Sequence, residues 1–254
     1  MRNVLICLVL LIAGSLPGCI SEITKIPMDT LYYEAKSGGK SKSLFVLLPG
    51  RNSAPDAFEK EGFIQAVREK DVAVDVVAVN AHIGYYMERS ITVRLKEDII
   101  KPAKSKGYKQ IWLVGISMGG LGALLYEKQF AHDISGIIIV APYLGEEKIV
   151  DEVRKAGGIW KWAPDYIAEG DWQSKLWLWL KHYEQHKNNF PPIYLGYGED
   201  DRFVFADTML ASILPPERVI VIKGSHDWQT WRRLWDVLLV RTKPIINDRS
   251  NSDE

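Results

Sequence analysis

Three residue types that together break acyl bonds stand at separate places in this chain. Ser117 lies in GISMGG, residues 115–120, directly after the apolar run IWLV. A serine hydroxyl becomes a nucleophile when a base takes its proton and a carboxylate orients that base. Five histidines are available: His82, His132, His182, His186 and His226. Of these, His226 alone follows a late apolar run, in VIKGSHDW. Two adjacent carboxylates, Asp200 and Asp201, follow the run PIYLGY. Gly198, Asp201 and Val204 form a G-x-x-D-x-x-V spacing, which favours Asp201 as the acid and leaves Asp200 as the alternative. Asp227 is set aside because it adjoins the histidine in sequence and points elsewhere.

These residues need a scaffold that converges on them. DTLYYEA reads as an edge strand, and SLFVLLPG and VAVDVVAVN read as buried strands. Further strands are expected at IWLVG, SGIIIVAP, PIYLGYGED and RVIVIKG. Helical spacing lies between them: over 54–70, over 91–108, in MGGLGALLYEKQF, in FADTMLASIL and in the terminal DWQTWRRLWDVLLV. Repeated strand–helix alternation predicts a mostly parallel, doubly wound sheet with helices on both faces. Sites in such sheets lie beyond the carboxyl ends of the strands. Ser117, the Asp200–Asp201 pair and His226 all sit at such ends, as does the segment from Pro49 to Ser53.

GISMG is a G-x-S-x-G nucleophile elbow with a strand before it and a helix after it. Gly115 and Gly119 remove side chains that would collide with the tight turn. Elbow, acid turn and late histidine, in that order, make the chain resemble the α/β-hydrolase superfamily across roughly residues 42–240. The resemblance implies a serine hydrolase that cleaves a carboxylic ester or thioester through an acyl-enzyme, with no cofactor and no metal. It also implies an oxyanion hole made by the backbone N–H groups of Arg51 and Met118. In LLPGRNS, Pro49 stands where histidine is common, and Arg51 departs from the usual small or aromatic residue. The Arg51 side chain either reaches a negative group of the substrate or pairs at the surface. A peptidase or acyltransferase on the same scaffold is an alternative, as is a non-catalytic envelope binding or assembly protein.

An insertion over 146–190 stands where the superfamily often carries a lid. It holds Trp160, Trp162, Trp172, Trp177 and Trp179, five of the nine tryptophans. Two readings stand side by side. Trp160, Trp162, Trp177 and Trp179 wall an acyl or aromatic substrate, or they pack the insertion against the body. His182 and His186 are four apart on a helix, but no third metal ligand is evident, and a solvated face is the expectation.

The composition suits one globular domain: 254 residues, 47% hydrophobic, with 32 basic and 32 acidic residues. No basic stripe points to nucleic acid. The first residues differ. A positive charge and an apolar run from Val4 to Gly14 have the length of a signal-peptide core, too short to span a bilayer. LPGC, Leu16 to Cys19, resembles a bacterial lipobox, which implies cleavage after residue 18 and a lipidated Cys19. Cys7 is the one other cysteine, so the mature chain would carry no disulfide. Residue 20 is Ile rather than Asp, so nothing argues for inner-membrane retention. The expected organisation is a lipoprotein signal peptide over 1–18, a tether over 19–28, the hydrolase domain over 29–246 and a disordered tail over 247–254. The expected place is the bacterial cell envelope, on the periplasmic side of the outer membrane, with the membrane contacted through Cys19.

Overall fold

The structure is a computed structural model and describes residues 23–36 and 41–251. The signal-peptide segment over 1–18 and Cys19 lie outside the described residues. Seven strands form one sheet: β1 (Thr30–Tyr33), β2 (Ser43–Leu48), β3 (Asp75–Val79), β4 (Gln110–Ile116), β5 (Gly136–Val140), β6 (Ile193–Gly198) and β7 (Val219–Ile222). Their order is β1-β3-β2-β4-β5-β6-β7. All neighbours run parallel except β1, which lies antiparallel on β3 with Thr30 opposite Val79. The antiparallel strand sits at the edge, as DTLYYEA suggests.

Strands β2 to β6 are buried along their whole length, which explains why their sequences are apolar without alternation. Successive side chains point to opposite faces. In β2, Leu44, Val46 and Leu48 enter one core, while Phe45 and Leu47 enter the other. The helices in chain order are α1 (Ala57–Lys60), α2 (Phe63–Glu69), α3 (Ile83–Met87), α4 (Ile91–Arg94), α5 (Lys101–Ser105), α6 (Met118–Gln129), α7 (Glu147–Lys155), α8 (Trp172–Gln185), α9 (Val204–Ala211) and α10 (Trp228–Asn251). α1, α2 and α10 cover the Phe45 face, with Trp235 of α10 stacked on Phe63 of α2 at 5.5 Å. α4 and α6 to α9 cover the Leu44 face.

Three expectations need correction. The helix expected over 54–70 is two, broken at Gly62, whose φ of 78° lies in the left-handed region that glycine adopts freely. The helix expected over 91–108 contains a π-helical stretch, Leu95–Ile100, immediately before α5. Pro102 sits in the first turn of α5. A proline ring crowds the carbonyl four residues earlier, and the wider π turn is the kind of local adjustment that relieves this. The tail expected to be disordered from residue 247 is helical as far as Asn251, because α10 continues through Pro244.

Candidate active site

The carboxyl ends of β2, β4, β6 and β7 converge. Ser117 follows β4 directly and precedes the first turn of α6. Its φ is 51° and its ψ is −113°, a sparsely populated conformation for a side-chain-bearing residue. Such strain costs on the order of 1–3 kcal/mol and persists only when neighbours over-determine it. They do so here. The Ser117 N–H donates to the Val140 carbonyl at 2.9 Å. The Ser117 carbonyl accepts from the N–H groups of Gly120 and Tyr143, both at 3.0 Å. A Cβ added to Gly115 would meet the backbone of Gly119, and one added to Gly119 would meet the Leu48 carbonyl. The two glycines therefore let the strand, the turn and the neighbouring strand end touch backbone to backbone.

The loops after β6 and β7 are tied together. Glu199 N–H donates to the Ile222 carbonyl at 2.9 Å and Asp200 N–H to the Gly224 carbonyl at 3.0 Å. This pairing leaves the Asp200 residue exposed and turns the next one inward. Asp201 is 2% exposed. Its Oδ1 accepts from the Phe203 N–H at 2.8 Å, which fixes the carboxylate. His226 Nδ1 lies 2.8 Å from Asp201 Oδ2 and 3.0 Å from Oδ1. A carboxylate only accepts, so Nδ1 carries the proton. Nε2 is then the free lone pair, and it lies 3.0 Å from Ser117 Oγ. The hydroxyl donates to the imidazole and the imidazole donates to the carboxylate. Asp227 is occupied elsewhere, accepting from the Thr230 N–H at 2.8 Å at the start of α10.

Two aromatic rings that the sequence reading did not single out hold the imidazole edge-on. Phe203 lies 4.9 Å from it and Trp231 4.8 Å, at interplanar angles of 77° and 86°. Behind Asp201 lies Asp207 of α9, wholly buried. Burial, and then the charge of Asp201, push its carboxyl well above the usual carboxylate range. This shift lessens the negative charge that Asp207 places beside the histidine's partner. No sequence signal distinguished this aspartate from a solvated one.

The Arg51 segment reaches Ser117 through Gly50, where an added Cβ would lie 3.5 Å from the serine Cβ. Met118 is the first residue of α6, so its N–H has no acceptor within the helix. Ser117, Met118 and Arg51 open on a cavity of about 980 Å³. Trp172, Tyr143 and Phe203 also line it.

The four insertion tryptophans named for a substrate wall lie elsewhere. Trp177 and Trp179 face the core from α8, and Trp162 is buried with its Nε1 donating to Glu152 Oε1 at 2.9 Å. Trp160 is exposed and does not line the cavity. The packing reading holds for the three buried rings, and of the five tryptophans of the insertion Trp172 alone borders the cavity. His182 and His186 stack with ring centroids 4.2 Å apart, and His186 Nδ1 lies 3.0 Å from the His182 carbonyl. Among the described residues no group of three or more His, Cys, Asp or Glu side chains is placed to hold a metal.

Comparison with solved structures settles the architecture. Est1E from Butyrivibrio proteoclasticus superposes with a TM-score of 0.58 at 15% identity, covering 88% of this chain and 95% of that one. The fold is that of the α/β-hydrolases. Two Staphylococcus aureus proteins with the α/β-hydrolase fold superpose similarly. S-formylglutathione hydrolase has a TM-score of 0.52 at 14% identity and covers 88% of this chain and 96% of its own. Fluorophosphonate-binding serine hydrolase F has a TM-score of 0.52 at 13% identity and covers 89% and 98%. By sequence, an acetyl esterase of Caldicellulosiruptor saccharolyticus is 27% identical over 138 residues, which are 49% of this chain and 51% of that protein. The chain thus spans about half the length of the curated relative it matches. No protein-family model matches the chain.

Proposed function

We propose that the protein is a serine hydrolase that cleaves carboxylic esters or thioesters through an acyl-enzyme. One observation carries the reading: an unbroken hydrogen-bonded series from Ser117 through His226 to Asp201, opening on a cavity. The names of the acetyl esterase relative and of the serine hydrolase neighbours support the same class.

Ser117 Oγ attacks the carbonyl carbon as its proton passes to His226 Nε2. Asp201 holds the imidazole and stabilises the imidazolium that forms. The N–H groups of Arg51 and Met118 stabilise the oxyanion, aided by the N-terminus of α6. Collapse of the tetrahedral intermediate breaks the bond to the leaving group, which takes the proton from His226. Water then attacks the acyl-serine with His226 as base, and the carboxylic acid departs. No step calls for a metal or an organic cofactor. The test is turnover of short p-nitrophenyl esters by the wild type and by Ser117→Ala. Near-normal turnover by the variant would sink the mechanism.

The second part of the proposal concerns place. The LPGC pattern supports a lipid on Cys19 and attachment to the cell envelope. More than one acyl chain gives stable anchoring. Incorporation of a clickable fatty acid into the wild type but not into Cys19→Ser is the expected result, and equal incorporation into both refutes the anchor.

A further inference from the structure

The cavity beside Ser117 is electrically lopsided. Arg51, Arg89, Lys128, Lys175 and Arg202 line it, against two carboxylates, Glu146 and Glu169. The chain as a whole carries equal numbers of basic and acidic residues, so this excess is local. Among the described residues, Arg51, Arg89, Lys128 and Arg202 form no ion pair with a carboxylate within 4.0 Å. All four are exposed and line the cavity. Lys60 and Lys101, by contrast, pair with Asp56 and Glu97, while Arg202 lies over the Phe203 ring at 4.8 Å.

The rest of the lining differs in character. Ile83, Leu121, Leu125, Tyr143, Trp172 and Phe203 supply apolar and aromatic surface. The volume, about 980 Å³, stands at the upper end of the range for sites that enclose drug-sized ligands. An acetyl group attached to a small alcohol fills little of it. Apolar walls, cationic side chains and a nucleophile together fit one kind of molecule: an ester with an extended apolar stretch and an anion at its far end.

Resting on the assignment of Ser117 as nucleophile, we propose that the preferred substrates carry a carboxylate or phosphate on the arm that runs along the cavity away from the reacting carbonyl. Arg51, Arg89 and Arg202 line the cavity and are the side chains that would meet this anion. A cavity of one sign also raises the local concentration of oppositely charged substrate.

The test compares matched p-nitrophenyl esters of one straight-chain acid whose far end is a carboxylate, a primary amide or an ammonium group. The expected order of kcat/KM is carboxylate above amide above ammonium, with about tenfold or more between the extremes, as befits charge-assisted contacts. In Arg89→Gln/Arg202→Gln the carboxylate-to-amide ratio should fall toward one, and it should also fall in high salt. The ratio is read within each protein, so a general loss of activity cancels. A second set places the carboxylate or the amide on the phenol instead, to find which arm bears the anion. Preference for the anion in either set supports the proposal. Equal kcat/KM throughout both sets, or a preference for the ammonium, overturns it while turnover of the amide ester leaves the nucleophile assignment standing. Failure of every ester, together with failure of a fluorophosphonate probe to label Ser117, overturns that assignment and this proposal with it.

Discussion

His226 Nε2 lies 3.0 Å from Ser117 Oγ although 109 residues separate the two in sequence. The contact forms because β4 and β7 end on the same side of a parallel sheet, with β5 and β6 between them. The imidazole is gripped by Phe203 and Trp231 and hydrogen-bonded by Asp201, so it meets the serine in one orientation. A chain that had abandoned chemistry would have no physical need for that alignment.

The two adjacent aspartates should separate cleanly. Asp201 is buried against Nδ1, whereas Asp200 is exposed. Asp201→Asn keeps the shape and removes the charge that stabilises the imidazolium, and in a related triad such a change lowers turnover about 10⁴-fold. Asp200→Asn should stay within about tenfold. Esterase kinetics of both variants, with circular dichroism to confirm folding, check this. A crippled Asp200→Asn beside a near-normal Asp201→Asn would reverse the assignment.

The tryptophans of the insertion should also divide. Trp172→Ala removes part of the cavity wall and should lower kcat/KM on aromatic or long-chain esters by about three- to tenfold, mainly through KM. Trp160→Ala, at an exposed position away from the cavity, should leave kinetics unchanged. Trp177→Ala should instead lower the melting temperature, because a wholly buried indole replaced by alanine costs about 3–5 kcal/mol. Melting curves and Michaelis parameters on the three variants separate wall from core.

The sequence showed where the candidate site lies more openly than how the protein packs. The convergence of Ser117, Asp201 and His226 was legible because each follows an apolar strand, and the spacing of Gly115 and Gly119 about Ser117 has a steric cause. The parallel sheet was legible for the same reason: strands buried on both faces cannot hide their composition. What stayed illegible depended on side-chain direction. Which face of α8 packs inward decides that Trp177 and Trp179 are core and that Trp172, at its first turn, borders the cavity. Nothing in FADTMLASIL marks Asp207 as buried behind the acid. The π turn before Pro102 likewise reflects a local clash that hydrophobic spacing does not encode.

Buried Glu127 of α6 should make stability depend on pH. Burial pushes its carboxyl up to about 7 from a reference value of 4.5. The native state then holds a proton that the unfolded chain has released, so stability falls as pH rises from about 4.5 to about 7 and levels off above that. Glu127→Gln keeps an acceptor for the His132 N–H and removes this dependence. The variant should be the more stable protein at pH about 8, by on the order of 2–3 kcal/mol, with the gain shrinking toward pH about 4. Denaturant melts of both proteins across that range decide it, and a gain independent of pH would contradict the buried-carboxyl account.

The most direct test of the central claim is covalent labelling with a fluorophosphonate, followed by peptide mass spectrometry. An activated serine expels fluoride from phosphorus and keeps the phosphonyl group on Oγ. The expected result is one adduct per chain, mapped to the peptide that contains GISMGG, and absent from Ser117→Ala and from heat-denatured protein. Ester turnover should fall in proportion to labelling. An adduct on another residue, or full ester turnover by protein that remains unlabelled at Ser117, would contradict the assignment of Ser117 as the nucleophile.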